Sequence, residues 1–306
     1  MTELSLTKSQ HYVPRIYQKG WAPGRWQIPG YPKECVIWVH DLLNKKAFPT
    51  GPNAMLTSSW FYEADKTAPD NELEQWFGSF ESAYAKTIRF IDQILVKITE
   101  LLPVEHLGAH WGAALSSIAQ RSPEFLIILK EFAAVCYART PELMALKHGE
   151  LKADFRVGAD QAQVLTKPYT FVSHFRESTL IQRFLSLNMQ VWIAPEGGLL
   201  TSDRPCYDFR DVASGTWPLA GYDIGRQNDV AAFMPLSPQL AILLAPSKMK
   251  AMGRQIVYPP FSTKVLSKGE VDSANGMTIN MAGRWLIGSE RFDNIYEKRE
   301  MPLRGS

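Results

Sequence analysis

The chain has 306 residues, with 33 Lys and Arg set against 31 Asp and Glu and a formal charge of +2. At 45% hydrophobic and 21% charged it can bury enough apolar surface to offset its chain entropy, which excludes an intrinsically disordered protein. So small a net charge also excludes a broadly basic nucleic-acid coat, while leaving room for a local basic groove.

Three cysteines, Cys35, Cys136 and Cys206, are far apart, odd in number and form no CxxC pair. That argues against a secreted disulfide framework and against a thiolate zinc site. The N-terminus lacks the apolar core of a signal peptide, and no window holds 18 uninterrupted apolar residues. The expectation is a cytoplasmic protein with no membrane partner, built as a single domain over 1–306.

Residues 1–69 read as strand and loop, because seven prolines from Pro14 to Pro69 forbid long helices. Within them the β-branched and aromatic run Cys35–His40, a polar turn and a return through Phe48 predict a hairpin. Residues 70–188 read as helical. Leu73, Phe77, Phe80, Tyr84, Ile88, Ile91 and Leu95 recur at helical spacing between Pro69 and Pro103. Further helices are predicted at about 104–120, 123–139, 142–155 and 173–187. Residues 189–306 return to strands and end in a helix. Met189–Ala194 is apolar, Gly197-Gly198 predicts a hairpin turn with a return over Leu199–Thr201, and Ala231–Met234 pairs with Leu240–Leu244. Residues 270–288 read as mainly helical. The fold class is α+β: a mostly antiparallel sheet from N- and C-terminal strands, packed against the helical middle.

Several polar side chains stand in apolar or rigid company. His11 lies in Gln10-His11-Tyr12-Val13-Pro14, where it could act as a general base or metal ligand, or merely bond a carbonyl. Glu74 and Glu81 share one helix stripe, about 10.5 Å apart. Glu81 sits beside Phe77, Phe80 and Tyr84, so it either reaches water at the border or needs a partner inside. Ser202 and Asp203 end a strand before Arg204-Pro205, as a presented carboxylate or an ordinary Asx turn. Arg139 closes an apolar helix, either as a cap or as a cation for a carboxylate or phosphate. His106 and His110 are an i, i+4 pair without the glutamate of a zinc-protease motif. Lys248, Lys250 and Arg254 form a short basic run that reads as solvated surface or as a grip on a nucleic-acid backbone. Phosphate-binding loops, dinucleotide fingerprints and nucleophile elbows do not occur.

Taken in order, these features resemble the bacterial domain of unknown function 4238 family. The resemblance rests on Gln10-His11-Tyr12-Val13-Pro14 with Tyr17, Val36–Val39, Trp60-Phe61-Tyr62, Glu74 with Glu81, Arg139-Thr140-Pro141, Leu200–Pro205 and Phe233–Pro238. It extends from about residue 8 to about 290. Two departures stand out: Gln18-Lys19-Gly20-Trp21 replaces the family's Leu-x-x-Phe, and Arg204 stands where an Asn is usual. Membership implies positions rather than a reaction.

A base, several acids and a cation on separate segments fit an active site better than a packing role. The expectation is therefore one pocket at which a phosphodiester is cleaved or transferred. His11, Glu81 and Asp203 would be its catalytic groups, with Tyr12, Glu74, Arg139 and Ser202 binding substrate. Mg²⁺ is a possible cofactor and nucleic acid or a nucleotide a possible partner. A toxin or phage-defence setting would suit a bacterial family. The alternative is a non-enzymatic binding or sensor protein in which the same residues form a buried ionic network.

Overall fold

The computed structural model describes residues 9–22, 36–59, 61–62, 72–141, 179–210, 230–251 and 254–292. The predicted helix at 142–155, and the first part of that at 173–187, lie outside these.

The N-terminal segment runs through β1 (Ser9–His11), one turn of helix α1 (Arg15–Gln18) and a 3₁₀ turn over Lys19–Trp21. Tyr17 and Trp21 drive it inward, and both are fully buried. The Tyr17 hydroxyl donates to the Pro235 carbonyl at 2.6 Å, which leaves Thr201 Oγ1, also at 2.6 Å, to donate to Tyr17. Trp21 Nε1 donates to the Leu199 carbonyl at 3.0 Å. These bonds tie the start of the chain to its C-terminal third.

The predicted hairpin is present as β2 (Ile37–Asp41) and β3 (Lys46–Thr50). Asp41 shapes its turn, its Oδ1 accepting the amides of Leu43 and Asn44 at 3.0 and 3.1 Å. A 3₁₀ turn over Pro52–Ala54 leads to β4 (Thr57–Ser59), which pairs antiparallel with β1.

Three helices follow: α2 (Glu72–Leu101), α3 (Val104–Arg121) and α4 (Glu124–Ala138). Pro103 and Pro123 sit at the N-caps of α3 and α4, where a missing amide donor costs nothing. The periodic residues of α2 face the core, except Phe80, which lies half-buried at the border of the stripe. Tyr84 of α2 stacks on Phe132 of α4 at 3.8 Å. Helix α5 (Thr179–Ser186) joins α4, with Phe184 against Tyr137.

Two larger sheets, a two-stranded ribbon and a helix make up the rest. β5 (Asn188–Ile193), β6 (Thr201–Ser202), β7 (Tyr207–Arg210), β8 (Val230–Pro235) and β9 (Leu240–Ala245) come first. They are followed by β10 (Lys248–Ala251), β11 (Arg254–Val257), β12 (Phe261–Val265), helix α6 (Lys268–Met281) and β13 (Trp285–Gly288). One sheet has the order β12-β5-β9-β8-β7, and the other β3-β2-β13-β6. All pairings are antiparallel except β12 with β5. Every residue of β8 and β9 is apolar and buried, as central strands covered on both faces require. The second sheet joins N-terminal β2 and β3 to C-terminal β6 and β13, so the fold is α+β with strands from both ends of the chain sharing a sheet.

Two expectations need correction. Gly197-Gly198 does not fold Leu199–Thr201 back onto β5. Both glycines have positive φ, +80° and +94°, and they carry the chain out of one sheet into the other, where β6 pairs with β13. Residues 285–288 are strand rather than helix, so the last described element is β13 and not a helix. Helix α6 stops at Met281. Beyond it Trp285-Leu286-Ile287 has the bulk and branching of a strand and pairs on both edges.

Candidate functional site

Arg139 ends α4 as its C-cap residue, a favourable place for a cation, and its side chain is fully buried. All three nitrogens of the guanidinium are engaged. Nη1 donates to Glu81 Oε1 at 2.6 Å, Nε to the Tyr62 hydroxyl at 2.6 Å, and Nη2 to the His11 carbonyl. The plane lies over the Phe77 ring at 4.4 Å and near that of Tyr62 at 5.1 Å. Burial works against its charge, but the Tyr62 hydroxyl and the carboxylates of Glu81 and Glu74 outweigh this and hold its pKa above the ordinary value. Tyr62 in turn donates a hydrogen bond to the His11 carbonyl at 2.9 Å. Burial raises the Tyr62 pKa, so it remains a donor at any physiological pH.

His11 thus has its main chain clamped by two donors while its ring lies half-buried at the edge. Its Nε2 is 3.3 Å from the Pro52 carbonyl. A carbonyl can only accept, so Nε2 carries the proton and Nδ1 keeps the lone pair. Burial lowers the imidazole pKa; the Pro52 bond and Glu81 oppose this, and the charges of Arg15 and Arg139 add to it. Glu81 keeps 24% of its side chain exposed, so it bridges the buried guanidinium and solvent. Glu74, half-buried one stripe position earlier, lies within electrostatic range of Arg139 and Tyr62. Tyr12 packs on Phe61 at 5.7 Å.

Asp203 is placed differently. Its Oδ1 accepts the Gly283 amide at 2.8 Å, and its Oδ2 those of Arg284 and Trp285 at 2.7 and 3.2 Å. The carboxylate therefore starts β13 by collecting three consecutive amides, and it is nearly fully buried. Ser202 makes a local turn, its Oγ donating to the Arg204 carbonyl at 3.0 Å and accepting the Arg204 amide at 3.1 Å. The structure thus brings Glu81 and the main chain of His11 into direct contact with Arg139, with Glu74 at electrostatic range, and gives Asp203 and Ser202 backbone partners instead. One link spans the two groups: Arg284 lies within electrostatic range of both Tyr12 and Asp203.

Two participants stand outside the sequence-derived set. Tyr62 joins Arg139 to His11, and its only sequence signal was a place in an aromatic block. Asp41 holds Arg284 by two bonds, to Oδ1 at 3.1 Å and Oδ2 at 2.6 Å. Burial alone would raise its pKa, but the bonds from Arg284 and Asn44 hold it at about 2. Its signal was an aspartate two residues before a polar turn.

His106 and His110 are exposed on α3, and among the described residues no three His, Cys, Asp or Glu side chains gather as a metal site would require. Lys248, Lys250 and Arg254 fall on the two-stranded ribbon of β10 and β11. Among the described residues no helix is long and apolar enough to cross a membrane.

Comparison with known proteins returns one family. No curated protein and no solved structure matches the chain. The profile described as "Protein of unknown function (DUF4238)" matches residues 9–292, a span that includes every side chain of the His11–Tyr62–Glu81–Arg139 network and the Asp203 turn. The chain therefore belongs to the DUF4238 family.

Proposed function

We propose that the chain is a hydrolase or transferase acting on a phosphodiester at the His11 edge, with a nucleic acid or nucleotide as substrate. One observation carries the reading: a half-buried imidazole, whose pKa burial lowers, has its backbone fixed by Arg139 and Tyr62. A neutral imidazole with a free Nδ1 lone pair can take a proton from an attacking hydroxyl or water, and the resulting imidazolium can return it to the leaving oxygen. Glu81 would stabilise that imidazolium by its charge. In this reading Arg139 and Asp203 are positioning residues. Arg139 sets His11 and Glu81, and Asp203 sets the start of β13.

A second reading, a non-enzymatic binding or sensor protein, is favoured by the same saturation of Arg139 and Asp203, which leaves neither free to meet a substrate.

The test is incubation of purified protein with RNA, DNA and cyclic or linear dinucleotides, with and without Mg²⁺ or Mn²⁺. The hydrolase reading expects cleavage that His11→Ala reduces by about a hundredfold or more at an unchanged melting temperature. Asp203→Asn should instead lower the melting temperature, since an amide has one acceptor oxygen where three amides now find two. Absence of cleavage under all these conditions, or activity indifferent to His11→Ala, would overturn the hydrolase reading.

A further inference from the structure

The proposed chemistry needs a cation for the phosphate, and Arg139 is fully committed inside the protein. A second arginine stands at the same edge. Arg15 opens α1 just after Pro14, and its side chain is exposed. Its charge acts on the His11 ring. Its one hydrogen bond among the described residues runs from Nη1 to Asn53 Oδ1, at 3.2 Å. Asn53 belongs to the 3₁₀ turn over Pro52–Ala54, whose Pro52 carbonyl bonds the His11 ring. One short turn therefore anchors both the imidazole and the guanidinium. Among the described residues the remaining guanidinium N–H groups meet no protein acceptor, and neither does the Asn53 amide nitrogen. A fork with several open donors, steered from one corner and placed beside a neutral imidazole, suits a tetrahedral oxyanion. Glu81 is the opposing charge at this edge, but its carboxylate is tied to Arg139.

We propose that Arg15, oriented by Asn53, is the phosphate-binding residue of the His11 edge, with Asn53 as an auxiliary donor; the assignment rests on the phosphodiester reading above. Bound phosphate would sit against both Arg15 and the imidazole, and its negative charge would favour the imidazolium.

The experiment follows the His11 ring by nitrogen-15 NMR across pH in the full chain. It is run without additive, with inorganic phosphate, and with a ribodinucleoside monophosphate at matched ionic strength. The expected result is an upward shift of the His11 pKa on adding phosphate. That shift should need about tenfold more phosphate in Arg15→Gln and a few-fold more in Asn53→Ala. Melting temperatures should be unchanged, because both side chains are exposed. Phosphate that leaves the His11 titration untouched, or that acts equally on Arg15→Gln, overturns the assignment. The two proposals fail separately. A protein that cleaves no diester yet loses phosphate binding with Arg15→Gln keeps the assignment and loses the hydrolase reading. Cleavage that persists unaltered in Arg15→Gln does the reverse.

Discussion

Replacing Arg139 by Met tests whether the guanidinium is a keystone of the fold. Met has similar length and would still pack on Phe77 and Tyr62, so the change removes the charge and three hydrogen bonds with little loss of volume. Breaking a fully buried ion pair costs about 3–5 kcal/mol, mostly because the surviving charge is stranded. Two features of this site reduce that cost. Glu81 is 24% exposed and can turn to water, and the His11 carbonyl keeps its bond from Tyr62. The expected loss is therefore about 2–4 kcal/mol, or a fall in melting temperature of roughly 3–6 °C for a chain of this size. The assay is calorimetry with chemical denaturation, extended to a cycle with Glu81→Gln. Direct contact at 2.6 Å should give a coupling of about 1–3 kcal/mol. Arg139→Lys should lie between the two, since one ammonium cannot span three separated acceptors. A loss below about 1 kcal/mol, with Glu81→Gln purely additive, would refute the keystone argument and return Arg139 to the role of substrate ligand.

The Asp41 carboxylate, held at about 2 against an ordinary 3.8, favours the folded state wherever it is ionised. That contribution is complete above about pH 5 and is lost as pH falls toward 2. Its partner Arg284 is 43% exposed, so after screening it amounts to about 1–2 kcal/mol. The stability gap between wild type and Asp41→Asn should accordingly narrow between pH 5 and about 2 in denaturant titrations, and a gap independent of pH would count against the Arg284 bond. The glycines of the helical layer offer a contrast. A Cβ on Gly78 meets nothing within 4 Å, so Gly78→Ala should stabilise the protein by about 0.5–1 kcal/mol. A Cβ on Gly108 falls 2.6 Å from Val265 Cγ1 and 3.3 Å from Pro195 Cγ. Gly108→Ala should then cost about 1–3 kcal/mol by pushing α3 off β12, and thermal melts of the two variants should move in opposite directions.

What could be read from the sequence follows the range of the forces involved. The helices α2 to α4 and the β2–β3 and β8–β9 hairpins were legible because their signals are local: apolar periodicity, prolines at helix starts, a polar turn. The paths of Leu199–Thr201 and Trp285–Gly288 were not. Gly197-Gly198 is a sound hairpin signal, yet β9 and β12 already occupy both edges of β5, so the chain must leave for the other sheet. The Trp285 strand lies at the end of the 270–288 stretch that reads as mainly helical, and its cause is distant, namely Asp203 collecting three amides some 80 positions away. The candidate site divides along the same line. That Glu81 could need a partner and that Arg139 could serve a carboxylate was legible from an acid bordering an apolar stripe and an arginine ending an apolar helix, but their meeting at 2.6 Å is seen only in the fold. The occupation of Arg139 by Tyr62 and the His11 carbonyl depended on how β1 lies across the helices, which no local pattern encodes.

Residue type alone gives the three central arginines equal claims on an anionic ligand, and their acceptors separate them. Arg139 is buried, and burying a guanidinium is tolerable only when the surroundings supply acceptors for it, so its burial and its saturation have one cause. Arg284 is half-exposed and spends two nitrogens on Asp41 while its carbon lies 4.2 Å from the Trp285 ring, which fixes a strand to a hairpin. Arg15 sits at the surface, where water can satisfy its donors, so the fold has no need to fill them and a single bond to Asn53 Oδ1 suffices to aim the side chain. A ligand competes with water at Arg15 but with Glu81, Tyr62 and a main-chain carbonyl at Arg139. The same physics that makes the buried arginine indispensable to the fold makes the exposed one available for chemistry.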